Sequence, residues 1–465
     1  MSNFVKAFLS FGLATSIEKL LGFIILPIYT RYFSVAEYGI IDLVGTVLSI
    51  AVIFGGLQLE TALQRYYYEF DSSKKRLLIS NVYFLVATLS SIVGLLFFLF
   101  SEYFSILLFS SSQYTNPIKI VSLQIPIHNI SMIGLVLLRY EKENIKFLVV
   151  IITKVITSLL FVYLFVIWFE FGLDGVFLAQ LLALICSTLL VTIFNFKNFI
   201  FKIDIPLIKS LFSYSLPQFP ARVGSLSLGQ ANRFFMLSFL SIQAIGIYSV
   251  SLKLASVIQL VNTAFIMAWA PYMHELFKKP NNKQIFAAVF PLVCGATFLI
   301  VSMISLFSLE MIKLITTPEF HDAYKYIGGL SLFFALYIIK EVVDIGPKIT
   351  EKTKYLSYNF FVSVLVNLIS LYAFIQLFQL PGVIVAMIIT NLSLVVISWY
   401  TSNKLYHISF SISRFVLALL PAITLSLIPL VSELSLSVRL LLSIIVLVYY
   451  LLYIANNYKI FSLFK

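Results

Sequence analysis

The sequence predicts an all-α polytopic membrane protein with about 14 transmembrane helices, arranged as two parallel-repeat six-helix lobes around a central cationic cavity plus two peripheral helices. Three observations carry that prediction. Apolar residues make up 60% of the 465 and charged residues 11%, with a mean hydropathy of +1.01, a composition that a water-exposed surface cannot tolerate. Apolar runs of about 20 residues, long enough to cross a bilayer, recur along the whole chain between short polar breaks. The two halves of the chain also match each other at a fixed offset.

The runs fall at residues 10–32, 38–60, 78–100, 118–138, 147–168, 174–195, 211–240, 246–271, 285–308, 323–345, 356–378, 382–403, 412–431 and 436–455. Every second break is basic. Lys6, the Arg65 to Arg76 group, Arg139 to Lys146, Lys197 to Lys209, Lys278 to Lys283, Lys348 to Lys354, Lys404 with Arg414, and Lys459 with Lys465 together hold 21 of the 32 Lys and Arg. The alternate breaks hold mainly Arg31, Lys313 and Arg439, so the positive-inside rule places both termini in the cytoplasm. The net charge of +12 and pI of 9.4 are thus a topology signal, and nucleic acid is not an expected partner. Membrane lipids are.

The first run is expected to be a retained helix and not a cleaved leader, since Glu18 and Lys19 interrupt it and no small-residue cleavage pattern follows. No break exceeds about twenty residues, which leaves no room for a soluble catalytic domain.

Phe33 to Ile40 (FSVAEYGI) aligns with Leu240 to Ile247 (LSIQAIGI), pairing Ser34 with Ser241 and Gly39 with Gly246 at an offset of 241 − 34 = 207. Phe171 to Ala179 (FGLDGVFLA) aligns with Phe378 to Ala386 (FQLPGVIVA) at the same offset. Each match is weak alone, but their common spacing predicts two six-helix halves in parallel repeat, over residues 1–209 and 210–404, with the peripheral pair at 405–465. Two such bundles flanking a cleft are the arrangement of alternating-access transporters.

Six cations interrupt the apolar runs: Lys19, Lys154, Arg222, Arg233, Lys253 and Lys340. Facing lipid, they would cost roughly 15 to 20 kcal/mol together, at about 2.5 to 3.5 each. Arg222 and Arg233 lie eleven residues apart in the seventh run, about 20° from a whole number of helical turns and about 16 Å in height. One helix face therefore carries a two-step cationic ladder, with Lys253 near the depth of Arg233 and Lys19 at mid-height of the first run. Guanidinium groups match phosphate oxygens bidentately, so the ladder suits an anionic headgroup. Lys154 and Lys340 lie within about two turns of the basic edge and are expected to snorkel, although Asp344 stands at ion-pair spacing from Lys340.

Glu18, Glu60, Glu341 and Asp344 are the acidic candidates. A buried carboxylate can bind H+ or Na+ and couple transport to a gradient; structural pairing explains such groups equally well. His128, beside Asn129, suits a proton carrier, against the commoner role of a hydrogen-bonded interior histidine. The other histidines, His274, His321 and His407, form no metal constellation, and Cys186 and Cys294 have neither pairing nor metal spacing. No phosphate loop, dinucleotide fingerprint, CxxC or HExxH is present. No cofactor is expected.

The segments Leu20 to Leu43, Ala231 to Ala255 with the AWAPYMHE that follows, and TEKTKYL (Thr350 to Leu356) with Asn367 resemble the Wzx-type polysaccharide (O-antigen/capsule repeat-unit) flippases of the multidrug/oligosaccharidyl-lipid/polysaccharide exporter superfamily. The resemblance covers about residues 5 to 405. It implies a two-lobed secondary transporter, not an enzyme, that moves undecaprenyl-pyrophosphate-linked oligosaccharide across the membrane in polysaccharide or lipopolysaccharide biosynthesis, beside glycan polymerase machinery. Arg31 and Glu37 to Gly39 match the family's first-helix ending and first turn, and Arg233 its basic seventh-helix position. A multidrug exporter of the same superfamily is the alternative, but cationic drugs call for carboxylates where this chain offers cations. An integral-membrane glycan polymerase or transferase would favour a long extracytoplasmic loop, and none exists.

Overall fold

The computed structural model describes residues 2–200, 202–352 and 354–462. Thr353 and Lys465, which belong to the quoted motif and the basic tail, lie outside the described residues. Helices account for most of the described residues, and no strand occurs among them. Backbone contacts divide it into two compact units, 1–230 and 231–465.

The first unit contains α1 (Ser2–Tyr32), α2 (Val35–Gly56), α3 (Leu59–Tyr66), α4 (Ser72–Leu99), α5 (Ser101–Phe109), α6 (Thr115–Tyr140), α7 (Asn144–Val162), α8 (Gly172–Asn195), α9 (Ile205–Ser215) and the start of α10 (Phe219–Phe239). The second contains the rest of α10, then α11 (Ile242–Ala255), α12 (Ile258–Phe277), α13 (Asn282–Leu306), α14 (Ser308–Ile315), α15 (Tyr324–Val343), α16 (Ile345–Ile349), α17 (Lys354–Leu405), α18 (Ile412–Val431) and α19 (Leu436–Ser462). Among the described residues ten helices are long and apolar enough to cross a membrane, or eleven counting the bent pair α11 and α12 as one span. The 52-residue α17 counts once although it is broken at Gln379.

The sequence repeat reappears as local geometry. Ser34 caps α2: its Oγ accepts from the Glu37 N–H, while the Glu37 carboxylate accepts from the Ser34 N–H at 2.9 Å. Ser241, 207 residues on, caps α11 by accepting from the Ala244 N–H. Both side chains satisfy amides that begin a helix with no intrahelical partner. At the second matched segment Gly172 has φ +56 and its counterpart Gln379 has φ +55. The glycines three residues further on, Gly175 and Gly382, each lie against a backbone carbonyl, of Phe165 and Phe374 respectively, where a Cβ would collide. The shared segment is a sharp reversal that needs one left-handed residue and one residue without a side chain.

Within each unit, polar side chains tie helices through apolar surroundings. Asn129 of α6 donates to the Val52 carbonyl of α2 at 3.1 Å, and Gln124 to the Phe177 carbonyl of α8 at 3.0 Å. In the second unit Asn367 donates to Thr390 at 3.0 Å and Asn391 to the Phe333 carbonyl at 2.7 Å. Such bonds substitute for the hydrophobic drive that lipid removes. Prolines in α18 follow the same economy. Pro421 offers no N–H to the Leu417 carbonyl four residues back, and the Tyr449 hydroxyl of α19 donates to it at 2.8 Å. Pro429 likewise frees the Leu425 carbonyl, which accepts from Ser305 of α13 at 2.7 Å.

Gln379 sits at φ +55, ψ −132, a conformation that only glycine adopts without strain. Gln379→Gly, which copies the residue of its repeat partner, should therefore raise stability by on the order of 1 kcal/mol, and Gly172→Val should lower it by about as much or more. Thermal unfolding of the detergent-solubilised protein measures both.

Candidate functional site

The buried cations fall into separate settings, which the two units present one by one. In the first unit, α1, α6, α7 and α8 line a half-open cavity of about 270 Å³ whose polar lining is Glu18, His128, Ser131, Arg139 and Lys154. The Lys154 ammonium stands 2.5 Å from the Glu18 carboxylate. Lys154 is thus paired across two helices and does not snorkel, contrary to the expectation from its position. Its partner is 136 residues away in sequence, so no local spacing announces it. His128 projects its Nδ1 into buried surroundings without a hydrogen-bond partner among the described residues; the expected satisfied interior histidine is not what α6 holds. Arg139 counts in the sequence only toward topology. Here its guanidinium lies over the Phe147 ring, 5.9 Å from the centroid, and lines the cavity. His128, Ser131 and Arg139, spaced three and eleven residues apart, form a polar stripe along α6 that the sequence already contains.

Elsewhere in this unit Lys19 is half-buried in α1, and Arg31 is exposed in its last turn. Arg222 is exposed near the start of α10 and acts electrostatically on Glu60, which lies in α3 beyond the α2 span. Burial pushes the Glu60 carboxyl above its ordinary range, with Arg222 opposing the shift.

In the second unit Arg233 of α10 is 6% exposed, its guanidinium 5.6 Å from the centroid of the Tyr248 ring on α11. Tyr248 is fully buried; it accepts from the Asn232 amide at 3.3 Å and donates to the Met387 sulfur. The ring face offers the guanidinium a negative quadrupole. Of the two ladder arginines, Arg222 is exposed and Arg233 is buried. Lys253 is half-buried in the last turn of α11.

At the end of α15 four charges form a chain. Lys340 lies 2.8 Å from Asp344 and 3.1 Å from Glu341, and Lys348 lies 2.6 Å from Glu341. Asp344 is wholly buried at the break between α15 and α16. Lys340 therefore realises its four-residue spacing and does not snorkel. No group of three metal-ligating side chains is found among the described residues.

Solved structures share this arrangement of helical spans. The lipid II flippase MurJ, in an inward closed conformation, superposes with a TM-score of 0.74 at 18% identity, covering 98% of this chain and 99% of MurJ. A multidrug resistance MATE transporter of the MOP superfamily, inward-facing, gives 0.67 at 12% identity over 84% of this chain and 97% of its own. A MOP superfamily transporter from Pyrococcus furiosus, described as having a binding pocket of reverse polarity that suggests a different function, gives 0.55 at 14% identity, over 86% and 95%. The chain belongs to the polysaccharide biosynthesis protein family, whose model matches residues 4–277. No curated protein sequence matches it significantly.

Removing the ammonium that answers a wholly buried carboxylate should be costly. Lys340→Met is expected to lose about 3 to 5 kcal/mol of stability, and adding Asp344→Asn should restore most of it. Unfolding of the two variants side by side decides whether the pair is structural.

Proposed function

We propose that this protein flips polyprenyl-pyrophosphate-linked oligosaccharide repeat units across the bacterial cytoplasmic membrane by alternating access, with both termini in the cytoplasm. The observation that carries this reading is the enclosed guanidinium of Arg233, set over the Tyr248 ring, in a chain of the polysaccharide biosynthesis family. A guanidinium matches phosphate oxygens bidentately. The fold shared with a lipid II flippase across nearly the whole chain supports a lipid-linked cargo. Arg222, Lys253, Lys19 and Arg31 supply further positive charge for the pyrophosphate or acidic sugars, while the prenyl tail stays in lipid. The protein acts as a secondary transporter and breaks no covalent bond in its cargo. Its products enter O-antigen, capsule or a related glycan, delivered to polymerase machinery on the far side.

The MATE-like fold favours a second reading, a drug exporter. The pairing of acids argues against it, because Glu18, Glu341 and Asp344 each face a lysine within 3 Å and offer no vacant carboxylate to a cationic drug. The same pairing bears on coupling. A sodium ion would have to displace an ammonium at Glu18, Glu341 or Asp344, whereas a proton need only neutralise one carboxylate, so H+ is the coupling ion we propose, with Glu60 and His128 as further carriers.

Reconstituted vesicles carrying a prenyl-pyrophosphate oligosaccharide test the reading. Arg233→Ala should abolish flipping while the protein still assembles, and Arg233→Lys should keep part of it because the charge remains but the fork is lost. Full flipping by the alanine variant, or export of cationic dyes by the wild type, would remove the assignment.

A further inference from the structure

The cavity of the first unit holds more positive charge than its own carboxylate answers. Glu18 cancels Lys154 at one end, and Arg139 stands at the other with only the Phe147 ring and no ion pair among the described residues. Eleven residues of α6 separate His128 from Arg139, about 16 Å along the helix. The cavity therefore runs from the ion pair toward the end of α6 that the charge count assigns to the cytoplasm.

Three classes of occupant compete for such a space. A metal cation would have to strip Glu18 from an ammonium while facing a guanidinium. A neutral sugar would leave the excess charge unanswered. An oxyanion fits each group present: an ammonium and a guanidinium to donate charge-assisted bonds, and the Ser131 hydroxyl to donate another. The His128 Nδ1, buried without a partner, adds a further site that can donate in the neutral Nδ1–H tautomer.

We infer that the cavity bounded by α1, α6, α7 and α8 binds a small oxyanion of the phosphate or carboxylate class between Lys154 and Arg139, with Glu18 as a built-in competitor for the ammonium. When Glu18 is charged it occupies Lys154 and the site is weak. When the Glu18 charge is removed, both cations face the cavity and the site is strong. A phosphate can reach it free in water or as the headgroup of an anionic lipid. This site is separate from the Arg233 setting and does not depend on which cargo is flipped.

The test uses the full chain in nanodiscs of zwitterionic lipid, titrated with radiolabelled inorganic phosphate. Glu18→Gln should bind one phosphate per chain about tenfold tighter than wild type, the effect of freeing one charge-assisted contact. Lys154→Met combined with Arg139→Met should bind none, and Arg139→Lys should retain part of the affinity. In a second arm part of the lipid is phosphatidylglycerol: if the headgroup is the physiological occupant, it competes with free phosphate and is retained by Glu18→Gln after delipidation, but not by the double methionine variant. Glu18→Asn stands in if the glutamine variant fails to assemble. Binding unchanged by neutralising Glu18, binding that persists in the double variant, or no saturable binding of either probe would each overturn the proposal.

Discussion

A charge carried into a membrane span must be answered, because hydrocarbon solvates neither an ion nor an unpaired backbone group. The rest of this structure follows from the ways it meets that demand. Glu18 and Lys154 join α1 to α7; Lys340, Glu341, Asp344 and Lys348 close the end of α15; Arg439 of α19 donates to Glu310 at 2.5 Å and to the Leu306 carbonyl at 3.1 Å. Each pair ties two helices or seals a helix break. The Arg233 guanidinium also lies over an aromatic face, that of Tyr248.

The same demand explains the uncharged framework. Asparagine and glutamine side chains reach carbonyls on neighbouring helices, and serine caps begin α2 and α11 at matching places in the two halves. Polar atoms that would each cost several kcal/mol if stranded in lipid are spent as specific links. Because apolar packing is nearly indifferent to helix order in a membrane, these links do much of the work of setting which helix lies beside which.

Much of this was legible in the sequence, for physical reasons. Span length is fixed by bilayer thickness, so apolar runs translate directly into helices. The offset of 207 was readable because the turns it marks require particular residues: a serine cap at Ser34 and Ser241, a small residue at Gly175 and Gly382. The four-residue spacing of Lys340 and Asp344 was visible because a helix brings such positions together. Partnership between Lys154 and Glu18 was not, since it depends on tertiary packing of helices far apart in the chain. Arg139 was hidden for another reason: as one of many basic residues at an edge, it contributed to a topology count that gives every lysine and arginine the same meaning. The tyrosine beneath Arg233 was equally silent, because aromatic residues are abundant here and their ring orientation is not written in composition.

The prolines of α18 have a mechanical consequence. A helix that bends in hydrocarbon ordinarily breaks backbone bonds and strands their acceptors. In α18 the acceptors released by Pro421 and Pro429 are already held from outside, by Tyr449 and Ser305. Flexing at either point would open no fresh polar gap toward the acyl chains, so this helix has two ready-made joints whose stiffness is set by neighbouring hydroxyl groups and not by its own amide ladder.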